Sequence, residues 1–509
     1  MLAHQYGKRH IQKQDFINIT VLLAIAVGIG AYLIATTVII SKDGVFYIER
    51  AQQFSRDPIG VIKGHPFGYP FLIFAAHKLV CFFSNSSSIY TWIYAAQGVN
   101  LLCRIASFIP LYFIGKMLVG RGNSFWALLI LAFLPYPTEF GSDAMRDWPA
   151  VFFLACGFWA ILQAAKNRNL WAFGMGGICA GFGYMVRPVC VQVVAYGLVW
   201  LVYCLFRQAK TFSRRRILLA TAVLVGGFLI PVTPYTAARG KILPDTLSKV
   251  IRSLASNKET HQPATIGMQI HPMTDKYNAG IQIRAVEAAG NLIEKAGANL
   301  MWGFAGPLVV GMYYHFRKTA TQEEKLLMTA FIVFNVVALF LRYCYVHPDL
   351  THRYILPLTV MTIFYIPRGL KLLGDWIVNR TRQTQVTTEE KSQRWFYTLL
   401  IIGLCICLPK LVWPIRIEKQ GYLSAAMWLK QNTLSTDVIA APDRRLFFYA
   451  ERTGIIWQGG QVSERAGYLV KILKNRNQEP DSGKDMQKMY SCCVDKPNRK
   501  ELVVIYKML

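Results

Sequence analysis

Apolar runs of about 20 residues recur along this chain from Phe16 to Trp413, and each is long enough to carry a helix across a bilayer core. Inside hydrocarbon every backbone polar group needs an internal partner, so spans are helices or closed barrels. These runs are continuous rather than alternating, which excludes a barrel. The fold class is therefore an all-α polytopic membrane protein. Its spans are expected near Phe16–Ile40, Thr91–Phe113, Ser124–Pro137, Trp148–Ala165, Leu170–Val186, a sixth descending to Arg207, Ile217–Pro234, Leu300–Tyr314, Lys325–Leu341, Ile355–Pro367 and Trp395–Trp413. The first run is too long for the apolar region of a signal peptide and lacks a small-residue cleavage site after it, so it reads as a retained anchor.

Composition enters at the loops. The chain holds 56 Lys and Arg against 28 Asp and Glu, a net charge of +28. Much of that excess falls in short loops between spans, where basic residues retain loops on the cytoplasmic side. That reading displaces nucleic-acid binding. It also decides the short apolar stretch Phe67–Phe83. If this stretch lies along the membrane surface, Lys8, Arg9 and Lys13 and the basic loops after spans 2, 4, 6, 8 and 10 all fall on one side. About eleven spans follow, with juxtamembrane helices after the first and extracytoplasmic loops at about 41–90 and 235–299. The 11 cysteines are scattered without metal-ligand spacing, several of them inside spans.

On this topology Asp43, His65, Asp143, Arg146, Asp147, Arg187, Arg342, His352 and Arg353 share the non-cytoplasmic face. Ionisable residues gathered at one membrane face mark a functional site. Asp43 follows the first span, with Tyr47 four residues on. A carboxylate there can act as general base for a hydroxyl or amine held within hydrogen-bond reach. Asp143 and Asp147 share a helical face, with Arg146 beside Asp143. Their ordinary role is to offset the positive end of a helix, and their functional role is to orient an acceptor or a metal, with Arg146 on phosphate. Arg187, Arg342 and Arg353 are suited to a phosphate, which guanidinium groups bind through paired hydrogen bonds. Histidines 65, 261, 271 and 352 form no metal pattern, and no nucleotide-binding or Ser-His-Asp signature occurs.

The order of these features resembles the GT-C superfamily of membrane glycosyltransferases, in particular the branch of the protein O-mannosyltransferases and the lipid A aminoarabinose transferase. The matching stretches are KDGVFYIERA after span 1, HPFGYP leading a juxtamembrane helix, GSDAMRDWP before span 4, GFGYMVRP closing span 5 and HRYILPL opening a late span. The likeness covers about residues 10–415. It implies a polyprenyl-phosphate-linked sugar as donor, inversion at the sugar, and a lipid, glycan or protein acceptor on the extracytoplasmic face of a bacterial inner or plasma membrane. It gives the base role to Asp43 and the second loop acid to Asp143 or Asp147. It places the donor phosphate on Arg187 and Arg353, with His65, Tyr47, Arg146, Arg342 and His352 in the same site. No cofactor is required, although a divalent cation, Mg or Mn, is admitted. Residues 1–414 would form the transferase domain and residues 415–509 a small extracytoplasmic α/β domain. A lipid-linked oligosaccharide flippase would need charges at mid-bilayer and an internal repeat. An O-antigen polymerase or ligase would use two lipid-linked substrates, which the long basic segment Tyr235–Asn299 would suit.

Overall fold

A computed structural model describes residues 12–84, 88–207, 213–240, 248, 281–346, 349–380, 388–473, 486–496 and 499–509. Helices occupy the apolar runs: α1 Lys13–Thr36, α5 Ile89–Leu118, α6 Arg121–Phe133, α8 Asp147–Asn167, α9 Leu170–Val186, α10 Gln192–Phe206, α11 Arg214–Arg239, α13 Ala305–Lys318, α14 Gln322–Tyr345, α15 Leu356–Thr362 continuing into α16 Ile366–Arg380, and α17 Thr388–Val412. Among the described residues eight helical stretches are long and apolar enough to cross a membrane, and Leu170–Val186 is a shorter apolar helix. Between the spans lie α2 Lys42–Gln53, α3 Pro58–Gly64, α4 Gly68–Ser84, α7 Pro135–Ser142 and α12 Ile281–Asn299. Residues 241–247 and 249–280, with His261 and His271, fall outside the described residues.

Two ends of the bundle can be told apart by side-chain pairs. At one end Asp15, at the start of α1, is buried and takes Lys116 at 2.6 Å and Arg121 at 2.9 Å from the end of α5 and the start of α6. Asn18 donates to the Tyr112 hydroxyl at 3.1 Å on the same pair of helices. So α5 ends where α1 begins, and α5 must begin where α1 ends. The intervening α2, α3 and α4 therefore begin and end at the same end of the bundle. At the same basic end, Lys166 reaches Glu324 at 3.3 Å.

The helical core packs aromatic on aromatic, with Phe158, Tyr196 and Phe331 at mutual centroid distances of 5.7 to 5.9 Å. Helices α9 and α11 approach at backbone distance. A Cβ on Gly177 would stand 2.1 Å from the Leu224 carbonyl oxygen, the close approach that small residues allow in membrane bundles. Helix α16 carries on to Arg380, its basic residues laid along apolar surface, with Arg368 4.8 Å from the centre of the Tyr314 ring.

After α17 the chain forms an α/β unit. Helix α18 Gln420–Asn432 and helix α19 Arg444–Ala450 pack on a five-stranded mixed sheet of order β2-β1-β3-β5-β4. Its strands are β1 Val438–Ala441, β2 Thr453–Ile456, β3 Tyr468–Leu473, β4 Met486–Lys496 and β5 Arg499–Met508. Pairing is parallel around β1 and antiparallel around β5. This unit lies at the end of the bundle where α1 finishes, since Tyr32 donates to the Val412 carbonyl at 2.8 Å and Val38 N to the Ile415 carbonyl at 3.1 Å.

Candidate active site

Helix α2 starts because Ser41 caps it, its Oγ accepting from Gly44 N at 3.0 Å. Glycine is needed at position 44, since a Cβ there would meet the Ala144 carbonyl oxygen at 2.8 Å. That contact presses the first turn of α2 onto the loop before α8. Asp43, in the same turn, extends toward Arg353 and pairs with it, keeping 43% of its side chain exposed. One turn on, Tyr47 is buried against Tyr69 (centroids 5.2 Å) with the Arg146 guanidinium 5.6 Å from its ring centre. Burial raises the Tyr47 phenol above its ordinary pKa, partly offset by Arg146, so it remains a hydroxyl.

Arg187 is turned into the site by the residue after it. A proline disfavours the helical conformation in the residue before it. Arg187 accordingly ends α9 in an extended conformation (φ −151°, ψ 119°) and reaches Asp147 at 2.5 Å. Asp147 is 3% exposed and stands in the first turn of α8. The short 3-10 turn His352–Tyr354 then brings Arg353 and Tyr354 against this pair. The Tyr354 ring has Arg342 at 4.3 Å, Arg187 at 5.1 Å and Arg353 at 5.3 Å, and its hydroxyl accepts from Arg342 at 2.9 Å. Burial works against the Arg353 charge, but Asp147 and Asp43 outweigh it and hold its pKa above the usual arginine value. Among the described residues the Nε of Arg342 is buried without a hydrogen-bond partner. Such a group is costly unless something polar meets it.

Asp43, Tyr47, Arg146, Asp147, Arg187, Arg342 and Arg353 thus converge, with Tyr354 at the centre. The other expected members lie apart. Asp143 is fully buried and faces away from the arginine cluster. Its Oδ1 accepts from Ser41 N at 3.1 Å and Ala144 N at 2.8 Å, and its Oδ2 from Arg416 at 2.7 Å. His65 is exposed and edge-on to Phe46 at 5.3 Å. Glu49 pairs with Arg444 of the C-terminal unit at 3.3 Å. Tyr354 lay inside the HRYILPL stretch, but a lone tyrosine carries no signal until three guanidinium groups surround it. Arg416 was hidden by its position just beyond the last span, where a basic residue is ordinary.

His352 stacks on Tyr136 at 4.0 Å, and its Nδ1 is 3.2 Å from Asn299 Oδ1. Lys410 covers Tyr136, its Nζ 3.3 Å from the ring centre. Next to Lys410 is a pocket of about 390 Å³ whose lining includes Glu139, Trp413 and Arg416. Burial, then Lys295 and Lys410, lower the His352 pKa, while Glu294 opposes them. A depressed histidine stabilises the fold above its unfolded value near 6.5, and that stability is lost as pH falls toward the folded value. Between about pH 7.5 and 5.5 the wild-type melting temperature should therefore fall further than that of His352→Gln, measured by thermal unfolding in detergent.

A divalent cation does not fit this donor set. Both carboxylates, Asp43 and Asp147, are already on guanidinium groups. Among the described residues no group of three or more His, Cys, Asp or Glu converges on a point. Four guanidinium groups face two carboxylates, so a cation would meet a surplus of positive charge.

Comparisons with known proteins give likenesses of sequence and fold. The sequence model of the dolichyl-phosphate-mannose-protein mannosyltransferase family matches residues 65–235, about a third of the chain. That range includes Asp147 and Arg187 and leaves out Asp43 and Arg353. Among solved structures, ArnT from Cupriavidus metallidurans bound to undecaprenyl phosphate is similar with a TM-score of 0.57 at 11% identity, over 97% of this chain and 98% of that one. The apo form of the same ArnT gives 0.54 at 12% identity, over 96% and 97%. The apo oligosaccharyltransferase of Archaeoglobus fulgidus gives 0.53 at 12% identity over 86% of this chain. The present chain spans 64% of that enzyme's length. No curated protein sequence matches. At these identities the likeness is one of fold, shared with ArnT over nearly the whole of both chains.

Proposed function

We propose that this chain transfers a sugar from a polyprenyl-phosphate donor to an acceptor at the membrane face that carries Asp43. The observation that carries the reading is the ring of Arg187, Arg342 and Arg353 around Tyr354, beside a part-exposed carboxylate. Asp43 takes the proton of the acceptor hydroxyl or amine. The freed lone pair attacks the anomeric carbon from the side opposite the phosphate, which inverts that centre. The bond from the anomeric carbon to the phosphate oxygen breaks, and polyprenyl phosphate departs. The departing phosphate monoester carries a charge of about −1.5 to −2 near neutral pH. The surplus of guanidinium groups meets that charge as it develops, where fixed cations act most strongly on the transition state. Asp147 holds Arg187 and, with Asp43, offsets the mutual repulsion of the arginines. The apolar bundle offers the prenyl chain the environment it prefers.

The charge pattern supports an extracytoplasmic site, because the opposite end of the bundle carries Lys116, Arg121, Lys166, Arg207, Arg317 and Lys318. ArnT, solved with undecaprenyl phosphate, supports the class of donor. The test is transfer of labelled sugar from synthetic undecaprenyl-phosphate sugars by the full chain in proteoliposomes. Arg342→Ala should weaken donor affinity about 10- to 100-fold, the value of one charge-assisted contact of about 1.5–3 kcal/mol. Unchanged donor KM and kcat in that variant would remove the arginine ring from the donor site.

A further inference from the structure

The backbone leading into α2 is held mainly by residues that follow the last span. Ile39 and Ile40 are fully buried, so their polar groups need partners inside the protein. The Ile39 carbonyl accepts from Arg416 at 3.3 Å, and the Ile40 carbonyl accepts from Arg445 at 3.4 Å. Ile40 N donates to the Tyr449 hydroxyl at 3.0 Å. Ser41 N donates to Asp143, whose other oxygen holds Arg416 at 2.7 Å. Helix α2 is then fastened at two points. Lys42 pairs with Asp443 at 3.3 Å and Glu49 with Arg444 at 3.3 Å. Positions 42 and 49 are two turns apart on one side of the helix. Asp43 is turned to Arg353 and Tyr47, one turn on, to Arg146.

The holding group is itself rigid. Asp443 caps α19 through Arg445 N at 3.1 Å and grips the Arg445 guanidinium at 3.0 and 2.7 Å. Both side chains are buried, at 4% and 5% exposure. Two of the guanidinium nitrogens are thereby committed to Asp443, and the third, NH1, is the one that reaches Ile40. A buried pair of this kind is costly to desolvate and is tolerated when its geometry is fully used.

We propose that the C-terminal α/β unit is a positioning device for Asp43, acting through Arg416, Arg445 and Tyr449 on the Ile39–Ser41 backbone. The role rests on the reading of Asp43 as the base. Tyr449 and Arg445 touch neither donor nor acceptor in this scheme, so their effect belongs in kcat rather than in donor KM. Small misplacements of a reacting group cost about 100-fold in rate.

The test uses the full chain in lipid nanodiscs, with hydrogen exchange and donor kinetics measured on the same sample. Tyr449→Phe removes one hydroxyl and leaves Ile40 N unpaired. It should raise exchange in peptides covering 38–47 about 10-fold, leave those covering 468–473 unchanged, and lower kcat about 10- to 100-fold at near-constant donor KM. Arg445→Lys keeps the charge on Asp443 but shortens the reach to Ile40, and should act in the same direction. Wild-type exchange in 38–47 for both variants overturns the proposal, as does a loosened loop with wild-type kcat. If Tyr449→Phe unfolds the sheet, read as exchange in 468–473, Arg445→Lys decides by the same criteria. Exchange needs no turnover. A wild-type protein without transfer therefore refutes the glycosyltransferase reading while the exchange data still decide the clamp.

Discussion

Asp43→Asn should lower sugar transfer about 100- to 10,000-fold, the contribution of one general base, while protein abundance and melting temperature stay near wild type. The second half of that expectation comes from exposure. With 43% of its side chain in solvent, the Asp43 pair with Arg353 resembles a surface ion pair, worth about 0–1 kcal/mol. Arg353 also keeps Asp147 as a stabilising neighbour after the change. The measurement is transfer rate in proteoliposomes beside thermal unfolding of the same preparation. Wild-type turnover in Asp43→Asn would sink the base assignment, and a collapse in melting temperature would make Asp43 a structural residue.

Asp143→Ala should behave in the opposite way. Its carboxylate is fully buried, holds Arg416 at 2.7 Å and accepts two backbone N–H groups. Removing one member of a buried pair costs up to about 3–5 kcal/mol, and here Arg416 would keep only the longer contact to Glu139 at 3.9 Å. Burial alone would depress the Arg416 charge. Asp143 and Glu139 outweigh it, so Arg416 stays charged in the wild type and suffers in the variant. The expected result is low abundance and a lower melting temperature, with Asp143→Asn milder because its amide oxygen can still accept from Ser41 N. A stable Asp143→Ala protein that had lost only turnover would return Asp143 to the reacting centre.

These two acids show where sequence reasoning stops. Asp43, Asp143 and Asp147 all follow or precede spans on the same face, and spacing alone ranks none above another. The difference lies in partners 40 to 310 positions away. Arg353 meets Asp43, Arg187 meets Asp147, and Arg416 meets Asp143. Arg187 was readable as a guanidinium closing an apolar span on the face that carries Asp43. Tyr354 was not, because its meaning depends on three guanidinium groups from separate helices.

The sequence by itself determined the helical class and the order of the apolar spans, because apolar runs of bilayer length admit only helices. The basic loops gave an expected sidedness, which grouped the candidate residues together. The tertiary structure alone decided which of those residues meet. Helix ends from distant parts of the chain gather at one end of the bundle, and sequence separation carries no information about lateral neighbours there. It also decided that the α/β unit supplies the hydrogen bonds on which the Asp43 loop hangs, since buried backbone groups at Ile39 and Ile40 must find partners wherever the fold puts them.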